Sequence, residues 1–592
     1  MDYSKLVDAF VEIQNTSKRL KKTQIISKFI RNCDSKDLNK VLLLLQGQIF
    51  APWDKRKLGV AARIVLKAIN LATGTNTKKI EDMWRKTGDL GIATSKLIEK
   101  KKQVTLFSTK LTLNKVFSNL EKLSSLEGLG TVDRKVQLIA ELLTSANPDE
   151  AQYIVRTVLE DIRVGVGESS LRDAIVLAYF AKELNIEYDE EKNKLILEDD
   201  SREEYNKHIE IIQEAYDITS DFGRIARIIK DNEKEMTGLI ELKKLDLIPG
   251  KPLKVMLVQK AGNAVEALKR VGTPAAFEYK YDGFRLQIHK NKEEIRLFTR
   301  NLEDVTIQFP DVVEHAKEFI KADSIILDSE AVGINKKTGG YLPFQSISQR
   351  IRRKYDINKI KEDFPVEVNI FDIIFLDGNN LLKTPFNKRR DFLKQNVIEH
   401  KGKFVLAEQF ITDDADKGSE FYNKALDSGN EGVIVKNLES IYKPGSRVGF
   451  CVKIKPVMDS LELVIVAAEW GEGKRSGWLT SLTLACLDDT GELLEIGKVS
   501  TGMKELSSEG TSFEDMTKLL KPSILTQEGK FVTLKPEIVI EVNYEEIQSS
   551  NNYSSGYALR FPRFIRLRDD RSVNDIDSID SVEELYINQR NR

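Results

Sequence analysis

Apolar residues recur at helical spacing through the first 245 positions, in runs such as Val41-Leu42-Leu43-Leu44-Leu45 and in the set Leu171, Ala174, Ile175, Ala178 and Tyr179. Few alternating segments interrupt them, so this stretch predicts an all-α region. At Ile248-Pro249-Gly250-Lys251-Pro252 the texture changes, as expected of a linker between domains. Short β-rich runs follow at 277–289, 295–299, 325–334, 366–376, 432–435 and 452–454, with helical pieces between them, and predict an α+β domain. After Lys455-Pro456 come further strands at 461–468, 482–486, 496–500 and 538–542. Short strands separated by turn residues suit a small β-barrel. The expected boundaries are 1–245, 246–455 and 456–592. No internal repeat or low-complexity tract is seen.

Composition narrows the class. A chain of 592 residues exceeds a single core, and 41% hydrophobic with 31% charged residues is ordinary globular material. Lys plus Arg (91) nearly cancels Asp plus Glu (92), so overall charge offers no evidence for a polyanionic partner. Basic clusters at Lys18-Arg19-Leu20-Lys21-Lys22, Lys100-Lys101-Lys102, Arg350-Ile351-Arg352-Arg353-Lys354 and 560–571 read as solvated faces or as phosphate tracks. Cys33, Cys451 and Cys486 form no Cys-x-x-Cys pair, against a disulfide framework or a structural zinc. Met1-Asp2-Tyr3-Ser4-Lys5 opens no apolar signal region, and no apolar run approaches the roughly 18 residues of a membrane span. The expectation is a cytoplasmic, nucleoid-associated monomer with no membrane partner.

The chemistry concentrates in the middle domain. Glu278-Tyr279-Lys280-Tyr281-Asp282-Gly283-Phe284-Arg285 sets a lysine in a strand-like run just before a glycine turn. A lysine amine is a poor nucleophile at its free pKa of about 10.4, so a covalent role needs burial or a neighbouring cation. The alternative is a surface lysine in a hairpin. Glu330 and Glu431 lie in or beside apolar strands, where a charge is costly unless paired or liganded, and two converging carboxylates suit a divalent cation. Lys453 and Lys455 stand two apart, so on a strand they share one face and could neutralise a phosphoryl group. Each also reads as an edge-strand charge. Arg163, Gly165 and Gly167 precede a helix start at Ser169-Ser170; they form either a backbone phosphate site or a plain helix–turn–helix corner.

In order, Lys280-Tyr281-Asp282-Gly283-Phe284-Arg285, Arg300-Asn301, Asp328-Ser329-Glu330, Phe371-Asp372, Glu431-Gly432-Val433-Ile434-Val435-Lys436, Lys453-Ile454-Lys455-Pro456 and the terminal block 560–571 resemble the successive motifs of ATP-dependent DNA ligases, closest to the archaeal replicative type and its eukaryotic relatives. The resemblance spans nearly the whole chain. It implies an all-α DNA-binding domain, an α+β nucleotidyltransferase (adenylation) domain and a C-terminal OB-fold β-barrel. It implies that Lys280 becomes the lysyl-AMP intermediate and that Glu278 contacts adenine. Arg285, Arg300 and Glu330 match positions around the ribose and phosphate, and Phe371 the aromatic that stacks on the base. Glu330 and Glu431 match the metal positions for Mg2+ or Mn2+, and Arg447, Lys453 and Lys455 the phosphate-side cations. Arg566, Arg568 and Asp570 would orient pyrophosphate.

The same resemblance implies that the substrate is nicked double-stranded DNA, gripped through phosphates by Arg163, Gly165 and Gly167 and, from the barrel, by Lys474 and Arg475. Asp459 falls where family members hinge the barrel. Gln103, Leu106 and Phe107 resemble a sliding-clamp docking motif, with an amphipathic connector as the alternative. Relatives often carry Gly where Val448 stands and Trp where Cys451 stands, which leaves packing beneath the phosphate lysines open. Nothing resembles the extra nucleotide domain or four-cysteine zinc site of NAD-dependent ligases, which favours ATP. The rivals are an RNA ligase or capping guanylyltransferase, which share the covalent lysine, and a silent nick-binding scaffold.

Overall fold

Helices in the first part of the chain form where one stripe can be buried and the orphan backbone donors can be capped. In Leu113–Leu123, Leu113, Val116, Phe117, Leu120 and Leu123 are buried, and Thr112 accepts from the Lys115 N–H at the N-terminus. In Pro148–Val158, Asn147 and Glu150 form a reciprocal capping box ahead of a proline in the first turn. The computed structural model describes the chain except residues 55, 101–109, 127–129, 343–346, 348–349, 351–360, 457–459 and 590–592; at 199 and 588 it describes the backbone alone. Gln103, Leu106, Phe107 and the expected hinge Asp459 therefore lie outside the described residues.

The helical region is not wholly α. Strands β1 (Glu187–Asp189) and β2 (Lys194–Ile196) form an antiparallel hairpin. Its turn is closed by Asp189, which accepts from the Lys192 N–H, and by Asn193 in the left-handed region at φ 48°. Six residues of mixed polarity are too few to announce a strand pair.

Contacts divide the chain into two units. The larger comprises Met1–Glu81, Leu90–Tyr422 and Val433–Ile454, and the smaller Asp82–Asp89, Asn423–Gly432 and Lys455–Arg592. In the larger unit the strands run β3 (Leu257–Lys260), β4 (Ala275–Lys280), β5 (Phe284–Asn291), β6 (Glu294–Thr299), β7 (Ser324–Ile334), β8 (Tyr341–Leu342), β9 (Val366–Leu376), β10 (Asn379–Asn380), β11 (Phe404–Leu406), β12 (Gln409–Thr412), β13 (Gly432–Asn437) and β14 (Arg447–Ile454). One sheet has the order β10-β9-β7-β5-β6, with β11 on β9 and β8 on β7; the other has the order β12-β4-β13-β14-β3. Met256, Ile326, Ile374, Tyr442, Val448 and Cys451 form a buried layer drawn from both sheets. Helices Pro310–Phe319 and Phe386–Asn396 cover the opposite face of the first sheet, around Leu286, Leu297, Leu327, Val368 and Ile370.

The run expected as one strand over 277–289 is two strands in different sheets. Residues 281–283 break it, so β4 pairs with β12 and β5 with β6 and β7. Val448 and Cys451 are both buried in the layer between the sheets.

In the smaller unit, β15 (Leu461–Trp470), β16 (Leu479–Leu487), β17 (Leu493–Val499), β18 (Ile524–Glu528), β19 (Phe531–Leu534), β20 (Val539–Asn543), β21 (Glu546–Ser549), β22 (Tyr557–Arg560) and β23 (Arg563–Leu567) are antiparallel. β15 joins β16, β19 and β20, β20 continues to β23, and β21 pairs with β22. Leu463, Ile465, Leu482, Leu484, Ile540 and Val542 fill its core together with helix Phe513–Leu520. No described helix is long and apolar enough to cross a membrane.

Candidate active site

Lys280 ends β4, half-buried, immediately before the turn at 281–283. Alternation along the strand puts Glu278 on the same face as Lys280. The turn is tight for a specific reason: a Cβ on Gly283 would lie 2.5 Å from the Ala331 carbonyl oxygen and 2.9 Å from Glu330 Cγ. Tyr281 anchors it from inside, its ring packed edge-on to Tyr341 and its hydroxyl accepting from the Glu408 N–H at 3.0 Å. Burial raises the Tyr281 hydroxyl above its ordinary pKa, so it stays a neutral hydrogen-bonding group.

Glu278 is buried and fully engaged. Its carboxylate meets Lys436 Nζ at 2.7 Å and Arg390 Nη1 at 3.8 Å, and accepts from Gln409 Nε2 at 2.9 Å. Lys436 lies within β13, with its ammonium 5.1 Å from the Phe371 ring centroid and 4.4 Å from that of Phe386. Arg390 is held by the carbonyls of Ala407 (2.6 Å) and Ile370 (3.4 Å). Sequence reasoning assigns no role to Arg390 or Gln409. Lys436 enters that reasoning only as the last residue of the 431–436 motif, without a role of its own.

Phe371 is half-buried on β9, packed against Tyr281, Val332 and Ala407. The Arg285 guanidinium lies 5.4 Å from its centroid. Arg285 stands opposite Glu330 in the β5–β7 register, yet its fork closes on Asp328, with Nε to Oδ1 at 3.0 Å and Nη2 to Oδ2 at 2.6 Å. Its third nitrogen donates to the Met256 carbonyl at 3.0 Å. Tyr442 completes the network by donating to Asp328 Oδ2 at 2.7 Å. Burial opposes the charged guanidinium, but Asp328 outweighs it and holds Arg285 above its ordinary pKa. Tyr442 is not singled out by sequence reasoning, and Asp328 enters it only as the first residue of the Asp328-Ser329-Glu330 motif, without a role of its own.

The remaining expected nucleotide residues are dispersed along strand ends. Arg300 follows β6 and Arg447 opens β14, both exposed, while Lys453 is half-buried opposite Ile434 of β13. Strand β14 stops at Ile454, so Lys455 does not share a strand face with Lys453. Lys455 belongs to the smaller unit, where it pairs with Glu431 at 2.8 Å. Glu431 is followed by Gly432 at φ 136°, a conformation that glycine alone takes without strain. Glu330 belongs to the larger unit. Among the described residues no three His, Cys, Asp or Glu side chains group as a metal cage.

In the smaller unit four arginines of the terminal block, Arg560, Arg566, Arg568 and Arg571, are paired. Arg560 meets Glu546 at 3.0 Å and Arg566 meets Glu541 at 2.6 Å. Arg568 meets Asp570 at 2.7 Å and also Glu462, which Arg571 reaches at 3.2 Å. The Arg568 guanidinium holds the exposed Asp570 carboxyl down at about 2. Lys474 and Arg475 occupy a one-turn 3-10 helix between β15 and β16. Arg475 pairs with Glu505 and stacks 4.2 Å over the Phe513 ring, whereas Lys474 is exposed.

Around the helical region's glycine turn, Arg163 has φ 56° and donates from Nε to Asp161 at 2.6 Å, and Gly167 precedes helix Glu168–Phe180. Lys22 is buried and donates to the carbonyls of Val164 (2.5 Å) and Gly165 (3.2 Å). One member of the Lys18–Lys22 cluster is thus internal, neither a solvated face nor a phosphate track. Arg350 departs from both readings in the same way, buried against Asp311 and the Gln308 and Phe364 carbonyls.

Comparison with known proteins places these motifs in a family. Residues 2–176 match the DNA ligase N terminus, 255–455 the ATP dependent DNA ligase domain, and 475–571 the ATP dependent DNA ligase C terminal region. The DNA ligase of Nanoarchaeum equitans is 46% identical over 594 residues, covering 100% of this chain and 99% of that one. The DNA ligase of Thermococcus onnurineus is 39% identical, covering 99% and 98%. The solved structure Pmar-Lig_PreS3 superposes with a TM-score of 0.55 at 16% identity, over 95% of this chain and 99% of its own, and so shares the fold. With full-length relatives at this identity and family matches in each region, the chain belongs to the ATP-dependent DNA ligases.

Proposed function

We propose that this ligase seals nicks in double-stranded DNA during replication, repair and recombination, with Lys280 as the adenylated residue. The free amine of Lys280 attacks the α-phosphorus of ATP. An N–P bond forms, the bond to the bridging oxygen breaks, pyrophosphate leaves with the electron pair, and the amine proton passes to water. The adenylyl group then moves to the 5′-phosphate at the nick, breaking the N–P bond. Finally the 3′-hydroxyl attacks that phosphate and AMP leaves.

Positioning and charge stabilisation dominate such transfers. Phe371 would stack on the base while Glu278 reads its edge. Arg285, Arg300 and Glu330 would surround the ribose and phosphate, and Arg447, Lys453 and Lys455 would take up phosphate charge. Glu330 and Glu431 offer hard carboxylate oxygens, and a site with few protein ligands suits Mg2+ or Mn2+ completed by phosphates. The bound ion would supply charge neutralisation there. The C-terminal β domain is assigned as an OB-fold, presenting Arg566, Arg568 and Asp570 to pyrophosphate and Lys474 and Arg475 to DNA. Residues 1–245 would grip duplex phosphates around Arg163, Gly165 and Gly167, 246–455 would carry adenylation, and 456–592 would form the barrel. Gln103, Leu106 and Phe107 would dock a sliding clamp.

The observation that supports Lys280 most directly is its setting: the end of β4, two residues from the buried Glu278–Lys436 pair that borders Phe371. Incubation with α-labelled ATP and Mg2+ tests the assignment. Wild type takes up label and passes it to nicked DNA, and Lys280→Ala takes up none while still binding duplex. Equal labelling of Lys280→Ala refutes the assignment, and transfer only to RNA ends refutes the DNA substrate.

A further inference from the structure

Within the smaller unit, the Lys455 ammonium stands between two carboxylates, Glu431 at 2.8 Å and Glu545 at 3.5 Å. Their settings differ. Glu431 is 7% exposed, whereas Glu545 is 50% exposed and at the longer distance. A half-exposed ion pair is weak and readily exchanged, while a buried one resists losing its partner.

Glu545 is nevertheless held in place by its backbone. Its N–H donates to the Arg560 carbonyl at 2.9 Å, and the adjacent Glu546, itself buried, accepts from the Arg560 guanidinium at 3.0 Å. The carboxylate is therefore delivered to Lys455 by a fixed main chain, yet free to rotate away. An approaching phosphate would compete with both carboxylates for the one ammonium. The more exposed and more distant carboxylate, Glu545, is the one that yields.

We propose that Glu545 is a displaceable counterion of Lys455, which neutralises the lysine before a nucleotide arrives and competes with nucleoside phosphates for it. Glu545 acts through Lys455 and so is a positioning residue. Its effect falls on affinity for the phosphate chain, not on the base. This inference rests on the phosphate-side role assigned to Lys455 above.

The test uses the full chain carrying Lys280→Ala, so that ATP with Mg2+ binds without the covalent step, with affinities read by calorimetry. Glu545→Gln should tighten ATP binding about twofold to fivefold, the scale of one exposed ion pair. Adenosine, which has no phosphate, should bind as before. In a Lys455→Gln background the gain should vanish. Unchanged or weaker ATP binding by Glu545→Gln, equal tightening of adenosine, or a gain that survives Lys455→Gln overturns the counterion role. Lys455→Gln that by itself leaves ATP affinity unaltered refutes the phosphate-side reading of Lys455 instead.

Discussion

Glu278 and Lys436 form an ion pair of 2.7 Å with both side chains almost wholly buried, and Arg390 stands 3.8 Å from the same carboxylate. Two cations lean on one acid in a site walled by Phe371 and Phe386. Glu278→Ala would strand both, and removing one partner of a buried pair costs about 3–5 kcal/mol. The expected result is a large fall in melting temperature for Glu278→Ala, partly restored by adding Lys436→Met. If the double variant melts no higher than the single one, the stranded charge is not the cause.

Asp328 sets where Arg285 points. Both guanidinium bonds to Asp328 and the bond from Tyr442 converge on a carboxylate with no solvent exposure. Asp328→Asn keeps the shape but loses the charge and half of the fork, so Arg285 is no longer fixed beside Phe371. The expected outcome is a roughly 10–100-fold slower lysyl-AMP formation, typical of losing a residue that orients a site group. Thermal melting serves as the control for folding. A wild-type rate of label uptake would show that Arg285 needs no such anchor.

Strands buried on both faces are visible in the chain because they are long apolar runs: β9 coincides with the expected 366–376 and β7 adds one residue to the expected 325–334. What the chain could not display is which distant groups meet. Asp328 and Glu330 lie on one strand face by alternation, and only the register shows that Arg285 stands opposite Glu330 while binding Asp328. Lys436 closes the 431–436 motif, and nothing along the chain shows that it meets Glu278. Lys22 and Arg350 read as surface because a basic run looks alike whether its lysines meet water or backbone carbonyls. The break between β4 and β5 was written in Asp282-Gly283, but a turn residue does not say that the chain changes sheets there.

Asp217 carries a pH dependence with a definite sign. In helix Asp199–Thr219 its carboxyl is pushed up from 3.8 to about 7, chiefly by burial, against the hydrogen bond from Gln213 and the charge of Lys254. The folded chain therefore holds a proton that the unfolded chain has released between these values. That contribution to stability is complete below about pH 4 and is lost as pH rises to about 7. Asp217→Asn removes the dependence: the variant should exceed wild type by roughly 2 kcal/mol at pH 8, allowing for partial solvent access, and the gap should close at pH 4. Melting curves at both pH values decide it, and a variant that gains equally at pH 4 and pH 8 would place the effect elsewhere.

Gly283 offers the most local test of how Lys280 is aimed. The clash that a Cβ would meet is with main chain, the Ala331 carbonyl at 2.5 Å, and main chain of a central strand cannot give way as a flexible side chain can. Ala331 pairs with Phe284 in the β5–β7 ladder, so relief requires β5 to separate from β7 at its first residue. The segment that moves is the turn joining β5 to β4, and Lys280 is the last residue of β4. A small displacement of a reacting group costs on the order of 100-fold in rate. Gly283→Ala should then lower the rate of lysyl-AMP formation by about that factor, while strand joining from an already adenylated 5′-phosphate, which no longer uses the lysine, should fall much less. Measuring both steps separates a misaimed lysine from general unfolding, because unfolding would depress them together.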